Sequence, residues 1–177
     1  MIDTAEIENA ILEFPIVEYK FGKTEELFFT DKVRYICEIE CPMYGKSWSC
    51  PPAVGTVEEC RQRCLKYENM FIFTTIAQID DMEDFDKMLE TRGEHEKVTH
   101  AINKIIKDKC GDTYALSSES CQLCKKCTYP DGECVHKDKM LPCIESHGIL
   151  VVQLAEQKEM MYSNGYDILT WFGIILY

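Results

Sequence analysis

Met70-Phe71-Ile72-Phe73-Thr74-Thr75-Ile76-Ala77 is the stretch on which the reading of the fold turns. It is short, rich in aromatic and β-branched side chains and bounded by polar residues, so it reads as a buried strand, the central one of its sheet. From Asp81 to about Lys109 the chain is charged and helical. Met82, Phe85, Met88, Leu89, Val98, Ala101, Ile102, Ile105 and Ile106 fall on one broad face, and Gly93 marks a point of interruption. Gly111 stops that helix, and Tyr114-Ala115-Leu116-Ser117 reads as a short strand. Strand, long helix and strand together predict a parallel pair with a right-handed crossover. The loop that follows then lies beyond the carboxyl end of a strand, a common place for sites in open α/β sheets.

That loop is Cys121-Gln122-Leu123-Cys124-Lys125-Lys126-Cys127-Thr128-Tyr129-Pro130-Asp131-Gly132-Glu133-Cys134. Three cysteines at Cys-x2-Cys-x2-Cys spacing wrap one point, and Pro130-Asp131-Gly132 is a turn able to return the chain and deliver a fourth sulfur. Consecutive short steps suit the corners of a [4Fe–4S] cubane held by Cys121, Cys124, Cys127 and Cys134. Structural zinc sites more often use two separated Cys-x2-Cys knuckles, so zinc is the alternative, and a disulfide or free-thiol loop is the non-metal reading. Cys134 lies further from Cys127 than the bacterial ferredoxin run has it, with no proline behind it, so the triplet carries the assignment.

A second cysteine region precedes the strand: Cys37-Glu38-Ile39-Glu40-Cys41-Pro42-Met43-Tyr44-Gly45-Lys46-Ser47-Trp48-Ser49-Cys50-Pro51-Pro52. Gly45 permits a turn, the prolines stiffen the backbone beyond Cys41 and Cys50, and Tyr44 and Trp48 offer apolar cover. Cys37, Cys41 and Cys50 form a candidate second metal site. Its fourth ligand is open among Cys60, Cys64, Cys110, Cys143 and a nearby His, or an iron is left free for a small ligand. The spacing is not that of the radical S-adenosylmethionine loop. The plain alternative is a proline-ruled loop whose cysteines only pack, since a buried free Cys behaves as a small hydrophobe.

Elsewhere, Thr4 to Phe14 is a short amphipathic helix ending at Pro15, Ile16 to Phe21 a strand, and Asp31 to Cys37 a helix or a strand. Thr56-Val57-Glu58-Glu59 is a capping box opening a helix to about Lys66, which puts Cys60 and Cys64 on one face. Core packing is the expected role of Cys64. Asp80, Asp81, Glu83, Asp84, Asp86 and Glu90 favour the helix dipole at a helix start, with a docking surface for a basic partner as the sharper reading. His95 and His100 read as ordinary surface or half-buried residues. Ile149 to Ala155 is helical, Asn164-Gly165 a turn, and Asp167 to Tyr177 an apolar final strand that ends the chain inside its sheet.

With 177 residues, 46% of them hydrophobic, the chain can bury a core of its own and is read as one metal-binding domain over residues 1–177, with cysteine loops 37–52 and 121–134. The expected fold is α/β or α+β, with a mixed sheet of about three to five strands. Eleven cysteines with no leader-like N-terminus and no long apolar run point to a cytoplasmic, reduced protein, where a cysteine pattern signals metal or catalysis rather than disulfides. A net charge of −12 opposes nucleic acid or an anionic membrane as partner and leaves a basic redox partner protein or a cationic cofactor.

The elements Cys-Pro-x-Tyr-Gly-Lys-x-Trp-x-Cys-Pro-Pro (Cys41 to Pro52) and Cys-x-Leu-Cys-x-x-Cys-Thr-Tyr-Pro-x-Gly-x-Cys (Cys121 to Cys134), followed by Pro142, Glu145, Gly148 and Ile149, resemble a prokaryotic family of unknown function described as predicted metal-binding proteins. The resemblance spans about residues 34 to 177. It implies a metal-binding, iron–sulfur protein of anaerobic metabolism and no established reaction. Where the family pattern carries an Arg-x-Pro after the last cysteine and a Pro-Ser further on, this chain has Val135-His136-Lys137 and Pro142-Cys143, which makes Cys143 a candidate extra ligand, beside Cys60.

Three functions share this ligand set. One is one-electron transfer by one or two [4Fe–4S] clusters. Four thiolates leave about −2 on a cluster, and acidic surroundings lower its potential. Another is an enzyme with an open metal position at Cys37, Cys41 and Cys50. The third is a structural zinc module stapled by Cys121 to Cys134. No Gly-rich phosphate loop, Ser/His/Asp arrangement or paired carboxylates support a defined catalyst, so the electron carrier leads.

Overall fold

The computed structural model describes residues 4–80 and 84–177. Alternation along β2 (Asn69–Gln78) sends Met70 and Ile72 to one face of the sheet and Phe71 and Phe73 to the other, and all four are fully buried. Both faces are therefore covered, which is why the run is apolar without alternation. β1 (Glu18–Lys23), β3 (Tyr114–Ser117) and β4 (Ile168–Leu176) complete a four-stranded sheet in the order β1-β2-β4-β3. β4 pairs with β2 from Met70 opposite Leu176 to Gln78 opposite Ile168, and its end closes on itself through Asn69 and Tyr177.

Every pairing among the four strands is antiparallel, so the expected parallel pair does not form. β2 and β3 point the same way, but β4 lies between them. The reason is length: β4 offers β2 a partner along its whole extent, with Trp171 to Leu176 buried, whereas β3 has four residues to offer. Gly173 is required at the crossing. A Cβ there would stand 2.4 Å from the Phe73 ring, its cross-strand partner.

One face of the sheet packs Phe71, Phe73, Ala115 and Ile175 against Ile7 and Ile11 of α1 (Thr4–Ile11) and Val98, Ile102 and Ile106 of α4 (Phe85–Cys110). The helix α4 is capped by Asp84, whose side chain accepts from the Lys87 N–H, passes through Gly93 without a break and stops at Gly111, φ +92°. Asp81, Met82 and Glu83 lie outside the described residues, as do the side chains of Phe85 and Asp86. The opposite face carries Met70, Ile72, Leu116, Phe172 and Ile174 under α3 (Val57–Cys64), α5 (Val151–Gln157) and a 3-10 turn at Glu145–His147. The Thr56–Glu59 capping box opens α3 as the sequence predicts, and Cys64 lies in the core. Residues Asp31–Ile39 form a helix, α2, capped by the Thr30 hydroxyl and contributing no fully buried side chain.

His95 departs from its expectation, being only 1% exposed. It sits at the i, i+4, i+7, i+11 spacing of His95, Thr99, Ile102 and Ile106, the inner stripe of α4. Its Nδ1 is 2.8 Å from Thr75 Oγ1 and its ring faces Phe73. Burial, with Arg92 nearby, pulls its pKa down to about 4.

Candidate metal centre

Three of the cysteine-bearing segments, those of Cys50, Cys121 and Cys143, meet at the outer edge of β3. Residues 142–144 run alongside it, with Ser117 N–H donating to the Pro142 carbonyl and Ile144 N–H to that of Ser117. Ser49 ties the segments together. Its carbonyl accepts from Cys143 N–H at 3.1 Å, and its hydroxyl accepts from Cys121 N–H at 2.8 Å and lies 2.9 Å from Ser47 Oγ. From the other side of the sheet Arg92, fully buried on α4, donates from Nε to the Ser118 carbonyl and from Nη2 to that of Glu119, where φ is +61°. Its Nη1 pairs with Glu96 at 2.9 Å. The turn that leads into Cys121 is thus held by a charged group that the core cannot release cheaply.

Cys121, Cys124, Cys127 and Cys134 line one cavity of about 460 Å³. Gly132 N–H donates to the Thr128 carbonyl and the Thr128 hydroxyl to that of Glu133, closing the turn that brings Cys134 back to the triplet. Trp48 reaches across from the other cysteine region, donating Nε1–H to the Gly132 carbonyl and meeting Tyr129 edge-on at 5.0 Å. Met43, Leu89 and Met140 supply further apolar wall, and Lys46, Lys125, Lys126 and His136 line the same space.

Cys37, Cys41, Cys50 and Cys143 line a second cavity of about 330 Å³, on the other side of the 43–50 loop. Cys37 comes from α2, and Cys41 and Cys50 from a loop that turns at Gly45, φ +68°, and closes through Gly45 N–H to the Pro51 carbonyl. The Cys143 thiol donates to Glu145 Oε2 at 2.9 Å. Of the cysteines open as fourth ligand, only Cys143 lines this cavity. The Cys60 thiol donates to the Val54 carbonyl, Cys64 is in the core and Cys110 ends α4. Nor does His147 contribute: Nδ1 is 2.9 Å from the Cys143 carbonyl and Nε2 is 2.8 Å from Tyr114 Oη, itself an acceptor from Arg63.

Burial pushes the thiols of Cys37 and Cys121 up to about 11 and that of Cys50 up to about 12, and holds Cys143 well above its ordinary range. Metal-free, these groups are neutral thiols, and a metal must displace their protons. Among the described residues no three His, Cys, Asp or Glu side chains are gathered closely enough to hold a single ion. The sulfurs ring two cavities instead. A zinc ion draws its four thiolates to about 2.3 Å around one point, whereas a cubane spreads its cysteines over separate irons. Four cysteines at each cavity are a donor set for a metal ion or a cluster.

The sheet thus carries thiol-lined cavities at one edge, the kind of place a metal-binding protein offers. The chain belongs to the family described as predicted metal-binding protein (DUF2284), whose model matches residues 21–177. No curated protein and no solved structure matches it. Among the described residues no helix is long and apolar enough to cross a membrane.

Ser49, Arg92 and Glu145 were not readable as site residues. Ser49 and Glu145 stand within two positions of cysteines, a weak signal, and Arg92 shows only its i, i+4 spacing to Glu96.

Proposed function

We propose that Cys121, Cys124, Cys127 and Cys134 hold a [4Fe–4S] cluster and that the protein carries single electrons to a partner redox enzyme. The observation that carries this reading is that the Cys-x2-Cys-x2-Cys triplet and the returning Cys134 of one loop line a common cavity. When bound, such a cluster supplies reversible one-electron chemistry. The chain's own residues prepare the place for it. Trp48 and Tyr129 keep water off one side, Ser49 fixes the Cys121 backbone, and Arg92 sets the turn before it. Lys46, Lys125 and Lys126 put positive charge beside a group that carries about −2. The sequence alone suggested that acidic surroundings lower the potential; around this cavity the lysines oppose that effect.

Anaerobic redox titration followed by electron paramagnetic resonance tests the reading. The expected result is a reversibly reducible centre that disappears in Cys124→Ala. A protein with no reducible centre, or one unchanged in Cys124→Ala, overturns it.

A further inference from the structure

We infer that the protein holds a second, closed iron–sulfur centre, with Cys37, Cys41, Cys50 and Cys143 as its four ligands. The inference rests on the cluster chemistry proposed for the first loop but on different residues. Three separate segments contribute: α2, the 41–50 loop and the strand-edge segment before the 3-10 turn. Nothing local in the sequence would bring Cys143 beside Cys50, yet the hydrogen bond from Cys143 N–H to the Ser49 carbonyl does so, and the bridge of Cys143 to Ser117 fixes the depth of that segment. Cys143 is 6% exposed and Cys50 5%, and the walls above them are Val33, Ile36 and Val151. The four thiols line one half-open cavity of about 330 Å³, with Cys50 and Cys143 at its buried floor, Cys37 and Cys41 part-buried, and Glu119 and Glu145 in its wall. A fourth cysteine also removes the reason to expect an iron left open for substrate.

The cavity distinguishes the candidates sharply. Cys60, one helix away, donates its thiol to the Val54 carbonyl and lines neither cavity, so it is not a ligand.

The test is iron and acid-labile sulfide per chain, with electron paramagnetic resonance of the reduced protein, on protein isolated anaerobically from iron-replete cells. Wild type is expected to carry about eight irons and Cys143→Ala about four, losing one of two signals, while Cys60→Ser keeps both. Cys37→Ala must lose the same iron and the same signal. Since Cys37 is only part-buried and belongs to neither hydrophobic cluster, that substitution leaves the core intact and guards against a folding artefact at Cys143. Cys124→Ala removes the other half and reports on the first centre alone. Full iron in Cys143→Ala or Cys37→Ala overturns the inference, as does zinc in this site. A wild type with about four irons, all lost in Cys124→Ala, also overturns it and leaves the first centre standing. Four irons lost in Cys143→Ala but kept in Cys124→Ala would uphold this centre and refute the other.

Discussion

Ser49 is the smallest residue on which both cavities depend. Its buried hydroxyl accepts from Cys121 N–H and its carbonyl from Cys143 N–H, so one side chain and one peptide set the spacing of two loops far apart in the chain. In Ser49→Ala the Cys121 N–H loses its partner in a partly buried position, at a cost of about 1–3 kcal/mol. The urea midpoint of the metal-free protein should fall accordingly, and the iron content of the anaerobic protein should fall with it. A second residue, His95, makes the stability pH-dependent. Its folded pKa of about 4 lies below the ordinary value of 6.5, so the neutral ring costs nothing above pH 6.5 and stability is lost as pH falls from there towards 4. The groups facing it are Thr75, Thr99, Phe73 and Arg92. The loss should reach about 3 kcal/mol below pH 4, and His95→Gln should flatten urea midpoints measured between pH 7 and pH 4.

At the scale of elements, α4 does two jobs. Ile102 and Ile106 bury against Phe71 and Phe73, each contributing about 1.5–3 kcal/mol, while Arg92, further towards the N-terminus on the same inner face, reaches the carbonyls of Ser118 and Glu119. Arg92→Met strands Glu96 in the interior, where one of its oxygens already lacks a partner, and should destabilise by about 3–5 kcal/mol. Arg92→Met with Glu96→Leu should recover much of that loss of stability but not the iron, because the 118–119 turn stays unheld. Thermal unfolding and iron content of the two variants check both halves. The local signals that drive these elements were legible in the sequence. The continuous run at Met70–Ala77, the Thr56–Glu59 capping box, the Gly111 stop and the Pro130–Gly132 turn are each set by neighbouring residues, and each stands where its chemistry requires. What depends on partners distant in sequence was not legible. The insertion of β4 between β2 and β3, the burial of His95 and the docking of Cys143 against Ser49 all follow from which surfaces meet, which no local spacing encodes.

Across the whole molecule the two cavities differ in charge. Lys46, Lys125 and Lys126 line the first, with Asp131, while Glu119 and Glu145 line the second, whose described lining residues include no lysine or arginine although Arg34 and Arg92 stand behind its wall. Positive charge favours the reduced, more negative state of a cluster, and burial among carboxylates opposes it. Redox titration should therefore resolve two potentials, the lower belonging to the centre lost in Cys143→Ala. Lys125→Gln with Lys126→Gln should lower the potential of the centre at Cys121 to Cys134 and leave that of the centre at Cys143 unmoved. With a net charge of −12, the redox partner we propose is a basic protein, and its association is expected to weaken as salt rises.

The central claim is that the loop from Cys121 to Cys134 holds an iron–sulfur cluster. The most direct measurement is the visible absorption of anaerobically isolated protein before and after dithionite, together with iron, sulfide and zinc per chain. The account predicts a brown protein whose broad absorption bleaches on reduction, with sulfide matching iron and at least about four irons lost in Cys124→Ala. A colourless protein with stoichiometric zinc and no sulfide would contradict it.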